Sequence, residues 1–346
     1  MTLTLVPAAD PDSWWHVWEP TTNDEPLRPP EEPIRLSASA LRSITTCPLN
    51  WFLDRQVHAG SLSGSAMALG IAVHALAEAL VSGELPADPD VLDAELERIW
   101  PYLGFDVAWF EVAERARVHQ MLSRLCAFHR TRAATHAVVG AEIKLSGIID
   151  LQELADIIIA SRRRDRAEGA DGTENADDFE GDVRDVLARL TELDRVIAIS
   201  GRIDRIDVDG EGQLSLLDVK TTSDPPTRAA VTADLQLALY QAAVLTGALE
   251  QPLAYPEGVT PADPPRIDTS SLLIVGVEGK KGSGEPKVMS QPALTDHGDP
   301  AWLFTAITDA ITTIRRADFS PRPGGHCRHC AFTAICPAKD PAREVS

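Results

Sequence analysis

The sequence predicts an α/β protein, and three observations carry that expectation. Residues 196–220 hold two β-rich runs, VIAISGRIDRIDV and QLSLLDVKT, about the turn Asp209-Gly-Glu-Gly212, the pattern of a hairpin. Helical stretches lie on both sides of it, at 65–82 and 90–135 before and at 234–249 and 302–317 after. Hydrophobic residues make up 44 % of 346 positions, enough for a packed core in one large domain or two small ones.

Taken in order, residues 1–34 are rich in Pro and acids, with Trp14, Trp15 and Trp18 close together. They read as an extended arm whose tryptophans dock on this domain or on a neighbour. Ser37 or Ser39 supplies the N-cap of a short helix, which Cys47-Pro48 interrupts, and Trp51-Phe52-Leu53 follows as an apolar patch. The small-residue helix 65–82 is closed by Gly83. Residues 90–135 read as one or two amphipathic helices, and Val139–Leu145 as a strand. Residues 161–185 carry few apolar positions and no period, which predicts a disordered insertion. After the hairpin, 234–249 is apolar nearly all round and so belongs in the interior. A Pro-rich loop at 252–265 leads to the strand SSLLIVGV, and apolar residues at 303, 307, 310, 311 and 314 mark an amphipathic helix. Residues 35–340 read as one domain and 341–346 as a tail.

The net charge is −20, from 52 acidic and 32 basic residues, which argues against a basic coat for nucleic acid. It is compatible with an enzyme whose cations line one groove. No run reaches the ~18 apolar residues of a membrane span, and no basic stretch precedes an apolar one at the N-terminus. The expectation is a cytoplasmic protein with no membrane partner. Five cysteines in such a chain make a poor disulfide framework, and Cys327, Cys330 and Cys336 cluster as ligands do. Three thiolates need a fourth, from Cys47 or Cys126, and structural zinc or iron–sulfur both accept four. His326 and His329 flank the motif and are alternative zinc ligands. Cys126, beside Leu122 and Leu125, has the surroundings of an ordinary buried cysteine.

Asp218 and Lys220 stand two apart on a predicted strand, so both point to one face. Asp204 lies on the partner strand. Carboxylates of this kind hold Mg²⁺ or Mn²⁺, and an adjacent lysine stabilises charge building on a phosphate. Asp-x-Lys alone is more often a solvated surface pair. Here it has company. Gly70-x-x-x-His74 on a helix, Gly201-Arg-Ile-Asp204-Arg, Asp218-Val-Lys220 and Gln236-x-x-x-Tyr240 occur in that order.

This series resembles the RecB-like PD-(D/E)XK nuclease domain, and the likeness covers most of residues 36–340. The resemblance implies a restriction-endonuclease-like fold, a mixed central sheet flanked by helices. It implies metal held by His74, Asp204, Asp218 and the carbonyl of Val219, with Lys220 as the catalytic lysine. Gln236 and Tyr240, on one helical face, would support the site or touch the DNA backbone. Glu78 shares a face with His74 and is at most an outer partner; the insertion leaves the role of Glu142 open.

In iron–sulfur members of the family, of AddB and AdnA/AdnB type, one cysteine lies far upstream in Cys-Pro-x-x-aromatic-aromatic. Cys47-Pro48-Leu-Asn-Trp51-Phe52 matches it. The likeness therefore implies a [4Fe–4S] cluster on Cys47, Cys327, Cys330 and Cys336 that joins the two ends of the chain. It further implies sequence-independent cleavage of DNA, on single strands or duplex ends, alongside a UvrD-like helicase in double-strand break repair. The chain holds no Gly-x-x-x-x-Gly-Lys-Ser/Thr loop, so the motor is expected on another polypeptide or on a longer form of this one. A catalytically silent DNA-binding scaffold and a stand-alone exonuclease are the competing readings. The intact ligand set favours an enzyme over the first.

Overall fold

The structure is a computed structural model that describes residues 26–60, 65–103, 108–167, 176–299 and 301–338. The arm tryptophans and the tail beyond 338 lie outside these residues. The chain belongs to the α/β class, with one mixed sheet of six strands between two helical layers.

A short strand β1 (Ile34–Ser37) leads into α1 (Ala38–Thr46) and α2 (Pro48–Arg55). Ser37 caps α1, its hydroxyl accepting from the Ala40 amide at 3.1 Å. Three helices follow, α3 (Ser65–Val81), α4 (Pro89–Ile99) and α5 (Ala108–Arg132). The long strand β2 (His136–Asp150) precedes α6 (Leu151–Ala167) and α7 (Ala176–Leu187). The hairpin is β3 (Val196–Asp209) and β4 (Leu214–Lys220). Then come α8 (Arg228–Thr232), α9 (Leu235–Leu245), β5 (Ile267–Glu278), β6 (Pro286–Pro292) and α10 (Ala301–Arg316).

The sheet runs β1-β3-β4-β5-β6, and β2 pairs with β3. Because β2 lies along one edge of β3 for its whole length, β1 and β4 must share the other edge. The parallel partner β1 covers residues 197–200 and the antiparallel partner β4 covers 205–208. Residues 201–204 of β3 are left between them. The ladder with β4 stops at Arg205↔Leu217, while β4 continues against β5 as far as Lys220. The sheet is therefore split at the C-terminal end of β4, with Asp204 on one lip and Asp218–Lys220 on the other.

Both faces of the central strands are buried, which the alternation of side chains shows directly. Leu214, Leu216, Leu272 and Ile274 join the larger core with α1, α6, α7, α9 and α10. Val219, Leu273 and Val275 join the smaller core with α3, α4 and α5. The helix α9 is buried all round as expected, and its N-cap Asp234 accepts from the amides of Gln236 and Leu237.

The expected disorder at 161–185 is corrected by the structure. Most of that span is helical, in the last turns of α6 and in α7; residues 168–175 are outside the described set. Arg162 is buried, donates to the carbonyl of His297, and sits 5.2 Å over the ring of Phe179. In α7, Phe179, Val183 and Leu187 recur every four residues and are all buried. Three apolar side chains at helical spacing suffice to seat a helix even when acids fill the other faces. The strand expected at 139–145 extends over 136–150; β1 and α8 are too short to stand out in the sequence, and β6, PKVMSQP, carries too few apolar residues.

Candidate active site

The hairpin delivers two carboxylates into the split in the sheet. Asp204 Oδ2 accepts a hydrogen bond of 2.6 Å from the backbone amide of Val219. A regular ladder would pair that amide with β3 backbone; here a side chain takes its place. Asp218 is only 3 % exposed and faces α9. Its Oδ1 accepts from Gln236 Nε2 at 3.0 Å, with the Tyr240 hydroxyl at 3.5 Å, and its Oδ2 lies 2.6 Å from Lys220 Nζ. Gln236 also donates to the Tyr240 oxygen at 2.7 Å. The pair four apart on α9 thus clamps one carboxylate in place. The five residues expected to do the chemistry, Asp204, Asp218, Lys220, Gln236 and Tyr240, are brought together.

From the other layer, α3 presents His74. Its Nδ1 is 3.4 Å from Asp204 Oδ2. Gly70, one turn earlier, faces Thr221 with no side chain between them, which lets the helix lie against the end of β4.

Glu142 completes the group, and the sequence reading had left its place open. Its backbone is left-handed (φ 48°), beside the irregularity where β2 slips register on β3. A non-glycine residue held there is strained, and such strain collects at functional sites. Glu142 falls opposite Asp204, between the pairs Ala141↔Arg205 and Ile143↔Ile203, so the pairing of β2 with β3 sets the two carboxylates side by side. One ligand atom from each of these three residues lies within 4.8 Å of the other two, and this is the one such group among the described residues. The signal available beforehand was Glu142 on a strand paired with Gly201–Asp204, and the pairing itself was not legible.

The electrostatics fit a cation. Burial pushes Asp218 up to about 6, with Asp204 adding to the shift and Lys220 opposing it. Burial also raises the Glu142 carboxyl, against the Arg202 guanidinium bound to it at 3.0 Å. The hydrogen bond to Asp204 raises His74. Burial and the Asp218 charge raise the Tyr240 hydroxyl, so it stays a neutral donor. Three acidic groups compressed into a poorly hydrated pocket repel one another, and a hard divalent ion relieves that repulsion. The residues present fit Mg²⁺ or Mn²⁺, with His74, Glu142 and Asp204 nearest one another. The site opens into a cleft also lined by Met67, Ile71, Glu78 and Arg202. Glu78 therefore borders the site on the stripe of α3 that carries His74.

The matching family model, PD-(D/E)XK nuclease superfamily, spans residues 35–337. The chain belongs to that superfamily. No curated protein matches it.

The cysteines occupy a separate corner. Cys47 is buried at the start of α2. The segment after α10 crosses α1 and α2: Phe319 stacks on Phe52 at 4.6 Å, and Arg322 donates to the Thr45 carbonyl at 2.9 Å. That crossing brings Cys330 to the pocket that Cys47 lines, together with Arg42, Asn50, His326 and His329. Asn50 Nδ2 donates to Cys330 Sγ at 3.3 Å. Cys327 Sγ accepts from the Gly324 amide at 3.4 Å, and Cys336 is half-buried nearby in sequence. Among the described residues the sulfurs do not converge within the span of a single ion's ligands. Cys126 is buried in the smaller core, where burial pushes its thiol up to about 11, and it belongs to neither site.

Proposed function

We propose that this chain is a deoxyribonuclease that hydrolyses phosphodiester bonds with Mg²⁺ or Mn²⁺ and without base-specific readout. The observation that carries the reading is the split in the sheet, where Asp204, Asp218 and Lys220 meet His74 and Glu142. A divalent ion bound there supplies a water of lowered pKa and offsets charge on the phosphate. The remaining roles belong to the protein. Gln236 and Tyr240 fix the Asp218 carboxylate. Asp218 holds the Lys220 ammonium, which is placed to stabilise the anionic phosphorus centre or orient the attacking water. Val219 locks Asp204 through its amide.

Two finer readings accompany this one. The first is a [4Fe–4S] cluster on Cys47, Cys327, Cys330 and Cys336, supported by the convergence of Cys47 and Cys330 on one pocket. The second is service beside a UvrD-like helicase at DNA breaks. A net charge of −20 predicts weak capture of free DNA, which a motor feeding the strand would offset.

The test of the core reading is direct. Purified protein should degrade linear and single-stranded DNA when Mg²⁺ or Mn²⁺ is added and not in excess chelator. Asp218→Ala should lower the rate about 100- to 1,000-fold, the scale seen when one preorganised electrostatic group is lost. Undiminished cleavage by Asp218→Ala, or by wild type in chelator, would sink the assignment. Processive digestion of blunt duplex without ATP, unchanged by added helicase, would remove the partner reading alone.

A further inference from the structure

The cleft beside the metal-binding group has a wall that the chemistry above does not use. On α3, Met67, Ile71, His74 and Glu78 recur at helical spacing, so one stripe of the helix runs past the reacting centre. Its far end is apolar and open: Met67 is 58 % exposed and Ile71 65 %. Two large apolar side chains left in water, one turn apart and next to a polar centre, are an uncommon arrangement on a helix whose neighbours Leu69, Ala72 and Val73 are buried. Across the cleft stands Arg202, on the same face of β3 as Asp204. Its side chain is 49 % exposed, and its contact with Glu142 engages Nη1 alone. Among the described residues lining the cleft it is the one arginine or lysine, set among Glu78, Glu142 and Asp204 with His74 beside them.

A polyanion entering this acidic cleft needs a cation at the rim, and a guanidinium fork matches a phosphate. The facing apolar pair cannot bind phosphate, but it can carry the flat face of a base or a sugar. We propose that this wall is a subsite for one unstacked nucleotide next to the cleaved bond. Arg202 takes that nucleotide's phosphate, and Met67 and Ile71 take the face of its base. The proposal rests on the nuclease reading and deepens it by naming the substrate form: single-stranded DNA. A base inside a duplex is stacked and paired on both sides, so it cannot lie against α3 without being unpaired. The contacts address no base edge, which gives single-strand preference without sequence preference.

The experiment measures binding of a fluorescent oligo-dT by anisotropy, with Ca²⁺ in place of Mg²⁺ so that the strand is not cut. A hairpin duplex and an abasic deoxyribose-phosphate oligomer of the same length serve as comparison ligands. Met67→Ser with Ile71→Ser should weaken oligo-dT at least ~10-fold, in keeping with the loss of one base contact. The same double variant should change abasic and duplex binding less than ~2-fold. Arg202→Ala should weaken oligo-dT and the abasic strand alike and lower the salt slope by about 0.7. Thermal melting should show both variants folded, since all three side chains are half-exposed or more. Oligo-dT affinity unchanged in the double variant, or equal losses on oligo-dT and the abasic strand, would overturn the subsite while leaving the nuclease reading intact. A wild-type protein that binds none of the three ligands would overturn both.

Discussion

The two polar sites of this molecule are built on opposite plans. In the cleft, each group is held by another before any ligand arrives. Val219 fixes Asp204, Gln236 and Tyr240 fix Asp218, and Asp218 fixes Lys220. All stand on β4, β3 or the first turns of α9, where the sheet is packed between the two cores. At the cysteine corner, Cys327 and Cys330 sit in and just after a short turn, Gly325–His329, that has no buried residue. The contacts tying that segment down, among the described residues, include the packing of Phe319 on Trp51 and Phe52, the buried Phe332, the Arg322–Thr45 bond and the Asn50–Cys330 bond. The difference teaches what each ligand contributes. The cleft brings acidic groups together whose repulsion a bound ion would relieve, so an ion there would serve chemistry. The turn at the corner buries none of its own residues, so a ligand there would serve the fold.

The largest effect that sharpens this contrast is on stability at the corner. A centre joining Cys47 to Cys327 closes a loop of 280 residues, which should restrain the unfolded chain strongly. Cys47→Ala, purified anaerobically, should lose its iron and melt at least ~5 °C lower, an effect of a few kcal/mol at this chain length. About four irons per chain in the wild type is the accompanying expectation. Stoichiometric zinc without iron would replace the cluster with a zinc site, and a metal-free protein of unchanged melting temperature would break the comparison itself.

A smaller effect, of opposite sign, belongs to the cleft. Asp218 titrates near 6 in the folded protein, above the ordinary carboxylate value of 3.8. Folding therefore favours its protonated form. The cost of burying the carboxylate is absent below pH ~4, grows between about 4 and 6, and is complete above that. In chelator, Asp218→Asn should stabilise the protein by about 1–3 kcal/mol at pH 7 and by nothing at pH 4. Chemical denaturation at the two pH values checks it, and destabilisation at pH 7 would show that the Lys220 and Gln236 contacts outweigh desolvation. The smallest effect is the control. Cys126→Ala should retain all metal and cost only about 1 kcal/mol, the price of a small cavity in the second core.

Much of the cleft was legible in the sequence because its parts are local. Asp218 and Lys220 share a strand, Gln236 and Tyr240 share a helix face, and the turn at Asp209–Gly212 folds Asp204 back beside them. What could not be read depends on long-range register. Glu142 reaches the site through the pairing of β2 with β3, which sets it opposite Asp204, and nothing near it in sequence announces a left-handed residue. The helix α7 was hidden because its acids dilute a stripe of only three apolar side chains, Phe179, Val183 and Leu187. That Cys47 meets the C-terminal cysteines was an expectation of the family likeness alone; Cys47 and Cys330 line one pocket, while the four sulfurs form no ligand group among the described residues.

The open edge of β3 between residues 200 and 205 has a further meaning. An unpaired edge is ordinarily a hazard, since its free amides and carbonyls invite another strand to pair. Here β1 and β4 guard it from both ends, and the Asp204 side chain takes up the Val219 amide across the gap. The gap of four residues is bounded at each end by a native strand, and it is wide enough to let groups from both helical layers meet. The sheet behaves as a wall with a single window, and the site is placed in that window.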